Sequence, residues 1–226
     1  MSIIGKDMLV DSSCVLYLTD RRKDATTWTD LSGSGNNGTV YGAATPPAAS
    51  VARLGYLFDG VDDYVDAGNG ASLNITGAIT LEAWVMIKGT GTGSFPMIVG
   101  KDLLSSIYPY ALRADANGFF VFASYNTAVL FSVSTAIPAN NIWYHVVGTF
   151  DKTLDSANAK IYLNGVQKDS RTYTLPLPTN AGTVKIGRYY INYFNGSIDK
   201  VRIYNRALSA GEILALYGKT RKYFGV

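Results

Sequence analysis

The sequence predicts an all-β protein: a sandwich of two antiparallel sheets, closed by one short C-terminal helix. Three observations predict it. Short runs rich in Val, Ile, Tyr and Phe recur along the 226 residues, separated by breaks of Gly, Asn, Asp and Pro. Several of these runs alternate with period two, the repeat of a pleated strand. Only the segment 209–216 carries a helix-starting signal.

The elements follow in chain order. Ser13-Cys14-Val15-Leu16-Tyr17-Leu18 reads as the first strand, with Cys14 as a small buried hydrophobe. The run Ser32-Gly33-Ser34-Gly35-Asn36-Asn37-Gly38 and the segment 42–50, with Pro46-Pro47, read as long loops within one domain. In 79–87, Leu81, Ala83 and Val85 share one face while Glu82, Trp84 and Met86 share the other. Both faces are bulky, as suits an inner strand. Residues 111–113 and 119–124 flank Asp115-Ala116-Asn117-Gly118, a hairpin signal, and 129–133 follows. After a strand at 142–150, residues 160–163 and 166–168 flank Asn164-Gly165, the preferred pair for a type I′ turn because both positions need positive φ. Strands at 184–188 and 200–204 complete the set. Ser209-Ala210-Gly211-Glu212 fits a capping box ahead of Ile213, Leu214 and Leu216.

Bulk properties narrow the function. A chain this long, with 47% hydrophobic residues, buries a core without staples. We expect one domain over residues 1–226, with its core at about 8–217. The net charge is only +3, and the basic residues are scattered apart from Arg21-Arg22-Lys23 and Lys219, Arg221 and Lys222, which argues against a nucleic-acid partner. No apolar run is long enough to cross a bilayer as a helix, so no membrane role is expected. The single cysteine excludes an intramolecular disulfide. The opening residues lack a charged segment followed by an apolar one, so we expect no secretion signal and synthesis in a reducing cytoplasm. The sequons at Asn37, Asn74 and Asn195 are then expected to stay unmodified.

The order of short motifs is more specific than any one of them. Val15-Leu16-Tyr17-Leu18 precedes Trp28-Thr29-Asp30-Leu31-Ser32-Gly33 and Asn36-Asn37-Gly38-Thr39. Phe58-Asp59-Gly60, Asp63-Tyr64-Val65 and Leu81-Glu82-Ala83-Trp84-Val85 come next, then Trp143-Tyr144-His145-Val146 and Ile161-Tyr162-Leu163-Asn164-Gly165. The segment 196–209 closes the series. Together they resemble the laminin-G-like branch of the concanavalin A-like jelly rolls, of the kind found as lone modules in bacteriophage structural proteins. The resemblance implies a jelly-roll sandwich with one concave sheet and ligand loops at a rim. It also implies a binding or assembly role on a virion, with host glycans or other virion proteins as partners and a homo-oligomeric or particle-attached state. A bacterial carbohydrate-binding or adhesion module, secreted or on the cell surface, is the alternative. Fold does not choose between them.

Catalysis is not expected. Glycosidases of this superfamily resemble one another in placing two or three carboxylates at alternating positions of one strand. Here that strand offers Glu82 alone, whereas retaining hydrolysis needs two carboxyls about 5 Å apart. The only histidine, His145, lies mid-strand with no nucleophile-elbow sequence beside it and reads as structural. Related jelly rolls carry a structural Ca²⁺ where an N-terminal loop meets the C-terminal strand. Matched by motif, this implies Asp30 and Asp199, with Asp59 as a third ligand, while Asp62, Asp63 and Asp66 crowd the same region. Such Asp, Asn and Gly residues are equally the ordinary formers of turns. Of the sixteen tyrosines, Tyr108, Tyr110, Tyr125, Tyr189, Tyr190 and Tyr193 fall in or beside expected loops. There a half-exposed ring could stack on a sugar while its hydroxyl makes a hydrogen bond. The competing reading is that tyrosine packs well in sheets or at a subunit interface.

Overall fold

The computed structural model describes residues 10–19, 26–42, 55–89, 96–103, 107–115, 117–126 and 128–226. Along the chain run β1 (Cys14–Leu18), β2 (Thr27–Trp28), β3 (Gly38–Tyr41), β4 (Tyr56–Asp59) and β5 (Tyr64–Asp66). A 3-10 turn at Ala71–Leu73 precedes β6 (Ala78–Ile87), β7 (Met97–Leu103), β8 (Ile107–Ala114), β9 (Phe119–Asn126) and β10 (Ala128–Ala136). Next come β11 (Trp143–Asp151), β12 (Ala159–Leu163), β13 (Val166–Arg171) and β14 (Thr183–Ile186). The short pair β15 (Arg188–Tyr189) and β16 (Asn192–Tyr193) leads to β17 (Asn195–Tyr204) and α1 (Ala210–Thr220).

These strands form the expected two antiparallel sheets. The back sheet runs β1-β17-β6-β11-β12-β13, with β4 also paired to β17, and the front sheet runs β10-β9-β8-β7-β14-β5-β3-β2. The hairpin β15–β16 pairs only with itself among the described residues. Leu81, Ala83 and Val85 of β6 turn inward and share one core with Tyr110, Leu112, Phe120 and Phe122 of the front sheet. At one point the sheets approach so closely that a Cβ on Gly148 would run into the Phe122 ring.

The other face of β6 is buried too, which explains its bulk on both sides. Beneath α1, Tyr17, Val147, Tyr162 and Tyr204 of the back sheet pack with Leu208, Ile213 and Leu216. Phe224 stacks on Trp84 with ring centroids 4.1 Å apart. The helix starts where the capping box predicts: Glu212 N donates to Ser209 Oγ, and Ser209 N donates to Glu212 Oε2. In the β12–β13 hairpin, Asn164 and Gly165 adopt φ of 52° and 80°, as the type I′ reading requires.

The main departure is at β8. Residues 107–110 continue the strand instead of forming a loop, although Pro109 supplies no backbone donor. The β8–β9 register shifts between Tyr108 and Ala111, so the proline occupies a bulge, where a sheet tolerates it. The basic triplet Arg21-Arg22-Lys23 and the Pro46-Pro47 segment lie outside the described residues.

Candidate functional site

The β8 bulge re-aims a side chain. Strict alternation would place Tyr108 on the same face as Tyr110, in the core. With the bulge, Tyr108 pairs with Tyr125 and Ala111 with Ala123, all on the outer face of the front sheet. Gly100 of β7 pairs with Ala111, extending a floor of small residues. Above it the rings of Tyr108 and Tyr125 stack at 5.5 Å, and Tyr189 meets Tyr108 edge-on at 5.6 Å. All three tyrosines are half-buried. Burial first, then the neighbouring Tyr108 and Asp102, push the Tyr189 hydroxyl up to about 12. Burial raises Tyr108 as well. Both hydroxyls are therefore neutral donors at physiological pH.

A second aromatic cluster occupies the same face. Tyr41 and Tyr64, paired across β3 and β5, stack nearly parallel at 4.6 Å. The guanidinium of Arg188 lies 4.6 Å from the Tyr64 ring centre and 5.5 Å from that of Tyr193. Arg188 Nε donates to Tyr190 O at 2.8 Å. The β15–β16 hairpin joins the two clusters, giving Tyr189 to one and Arg188 with Tyr193 to the other. At its tip Tyr190 takes φ of 53°, left-handed backbone that costs a bulky residue about 1–2 kcal/mol. Tyr190 and Ile191 are exposed there, at 45% and 65%.

The outcome for the expected residues is mixed. Tyr108, Tyr125, Tyr189, Tyr190 and Tyr193 belong to this band or its hairpin, although Tyr108 and Tyr125 are strand residues and not loop residues. Tyr110 is corrected: it is wholly buried and donates its hydroxyl to Leu73 O at 2.8 Å. Tyr41, Tyr64 and Arg188 escaped the sequence reading. Alternation around buried Val65 could have pointed Tyr64 outward, but nothing local predicts that it meets Arg188.

The carboxylates are rearranged as well. Asp30, Asp199 and Asp59 do not form one group. Asp30 is buried and accepts four bonds, from Tyr17 N, Ser32 N, Ser32 Oγ and Asn36 N, so it clamps the 30–36 loop. Asp199, also buried, accepts from Lys200 N. Among the described residues, the carboxylates that converge are Asp59, Asp62 and Asp63, with ligand oxygens all within 4.8 Å of one another. Hard oxygens so grouped suit Ca²⁺. They also organise their own turn: Asp59 Oδ1 accepts from Val61 N, and Asp63 Oδ2 from Asp59 N.

Glu82 faces away from the aromatic band, under α1. Its Oε1 lies 2.6 Å from Arg202 Nη1 and 3.0 Å from His145 Nε2, all three side chains being buried. Burial raises its pKa, but the Arg202 charge and the His145 hydrogen bond outweigh that and hold it below the ordinary value. Two carboxylates of the front sheet are occupied, Asp66 by Gly68 N and Thr183 Oγ1, and Asp102 by Lys185 Nζ. At the end of the sandwich a cavity of about 170 Å³ is lined by Ile87, Ala114, Ile137 and Phe194, with Asn140 and Asn195 among its polar groups. Among the described residues, its lining offers no exposed aromatic face for a sugar.

Comparison with known proteins agrees with this architecture. The family model described as Concanavalin A-like lectin/glucanases superfamily matches residues 59–214. No curated protein sequence matches the chain. Among solved structures, the binding domain of Paraclostridial Mosquitocidal Protein 1 superposes with a TM-score of 0.70 at 17% identity, over 96% of this chain and 56% of that one. The receptor binding domain of botulinum neurotoxin C/D mosaic serotype gives 0.73 at 17% identity, over 94% and 54%. Domain 4 of AbnA, a GH43 extracellular arabinanase from Geobacillus stearothermophilus, in complex with arabinotriose, gives 0.67 at 19% identity, over 91% and 98%. The chain thus spans little more than half of the toxin domains it matches, and nearly all of the arabinanase domain.

Proposed function

Because this chain belongs to the concanavalin A-like lectin/glucanase superfamily, we propose that it is a non-catalytic glycan-binding module whose ligand lies along the outer face of the front sheet. The aromatic band carries this reading. Sugars offer C–H faces to rings and hydroxyls to polar groups; Tyr108, Tyr125 and Tyr189 present rings, and the hydroxyls of Tyr108 and Tyr189 are neutral donors. The complex of the arabinanase domain with arabinotriose supports it. So does a further protein of similar fold, botulinum neurotoxin type C, whose cell entry is dependent upon interaction with two ganglioside molecules. The absence of catalysis rests on Glu82, which is sequestered on the far sheet and ion-paired.

A glycan array with the full chain tests the proposal. Saturable binding weakened at least about tenfold by Tyr108→Ala, with the melting temperature kept, is the expected result. Binding indifferent to Tyr108→Ala and Tyr189→Ala would move the ligand elsewhere. For the metal, Asp59, Asp62 and Asp63 would hold a structural Ca²⁺, tying the β4–β5 turn. A melting temperature higher in calcium than in EDTA supports this, and identical melts refute it.

The finer setting is display on a bacteriophage particle, as an oligomer or attached to other virion proteins. It extends the reading on the strength of the 15–39 motifs. Mass spectrometry of purified particles tests it against a bacterial cell-surface module.

A further inference from the structure

Within the second aromatic cluster, Arg188 is a cation without a carboxylate partner among the described residues. Lys185 on the same face pairs with Asp102 at 2.6 Å. Arg188, among the described residues, makes no ion pair; it meets the two tyrosine rings, the Tyr64 hydroxyl and the carbonyl of Tyr190. Asp66, on the strand of Tyr64, is engaged by Gly68 N and Thr183 Oγ1. A guanidinium between rings, with Nε anchored by a backbone carbonyl, is fixed in plane and direction. One further N–H meets the Tyr64 hydroxyl, and the others suit a planar anion such as a carboxylate. The parallel rings of Tyr41 and Tyr64 stand beside it, and Tyr41 is 44% exposed. Tyr41 and Arg188 both lie against the Tyr64 ring, so a sugar packed against the edge of this cluster would present its carboxylate to Arg188. The strained backbone of Tyr190 is consistent with a function, since it aims the carbonyl that holds Arg188 Nε.

We propose that Arg188, with Tyr41 and Tyr64, forms a subsite for the carboxylate of an acidic sugar, so that the ligand of the aromatic band is an anionic glycan. This rests on the glycan-binding reading above and names the ligand class. Uronic and sialic acids share the chemistry, and the probes separate them.

The test titrates the full chain with polygalacturonate and with polysialic acid, each beside its carboxyl-reduced form, and with a panel of neutral glycans. At least one acidic polymer should bind at least about tenfold more tightly than its reduced form. That preference should vanish in Arg188→Gln and persist in part in Arg188→Lys, which keeps the charge but not the fork. Melting curves of both variants establish that the fold is retained, and a misfolded Arg188→Gln leaves the Arg188→Lys comparison to decide. Equal binding of acidic and reduced forms, or a preference unchanged in both variants, overturns the subsite. Neutral-glycan binding sensitive to Tyr108→Ala but not to Arg188→Gln overturns it while leaving the broader reading intact. No binding to any probe overturns both.

Discussion

At Glu82, one buried carboxylate oxygen serves both Arg202 and His145, and the three side chains come from β6, β17 and β11. Removing the carboxylate strands a buried guanidinium. We expect Glu82→Ala to destabilise the protein by about 3–5 kcal/mol, read by denaturant unfolding. The pH dependence has a definite sign. A folded pKa below the ordinary 4.5 means that Glu82 stabilises the fold above that pH. The contribution disappears as the pH falls through the lower folded value. A melting temperature flat from neutral pH down to about pH 3 would refute this. Cys14 makes a second residue-scale prediction. Burial pushes its thiol up to about 12, so a thiol reagent at pH 8 should label it only in denaturant. Labelling of the native protein at the unfolded rate would contradict that.

Hairpins and caps were the most legible elements, because their chemistry is local. Asn164 takes positive φ, and its Oδ1 also accepts from His145 N at 3.0 Å. Asn164→Ala is therefore expected to lower stability by about 1–2 kcal/mol by equilibrium unfolding, through backbone strain and a lost bond. A neutral result would show that the turn relaxes. Strand β8 was less legible. Pro109 supplies no backbone donor within the strand, and a bulge accommodates it and turns Tyr108 outward. Tyr110, two residues later, lies in the core with its hydroxyl satisfied. A side-chain period of two makes the face of a tyrosine sensitive to one inserted residue, and residue type does not reveal where the insertion falls.

For the molecule as a whole, the central strands of the back sheet, β6, β11 and β17, are covered on both faces, by the front sheet and by the C-terminal segment. Phe224 is 7% exposed and stacks on Trp84, which packs in turn near Tyr217. Phe224→Ala should cost about 3 kcal/mol and shift tryptophan emission to the red as water reaches Trp84. Unchanged emission would mean that the segment does not seal that face. Docking of this segment also accounts for β6, whose Glu82 and Trp84 would otherwise face water. The central strands of the back sheet are thereby closed to a ligand, whereas the front sheet keeps an outer surface on which one can bind.

Sequence alone determined the all-β sandwich, the positive-φ hairpin at Asn164-Gly165, the capped helix and the buried roles of Cys14 and His145. Each follows from period, φ preference or burial tendency, properties of a few neighbouring residues. Tertiary structure decided which side chains meet. Tyr41, Tyr64, Tyr108, Tyr125 and the 188–193 hairpin lie far apart in the chain, and sheet order alone makes them one face. The gathering of Asp59 with Asp62 and Asp63 is by contrast made within one turn, as Asp30 clamps its own loop, but which acids gather depends on the turn geometry. Backbone pairing between distant segments places the aromatic groups, and that pairing is fixed by cooperative burial of the whole core.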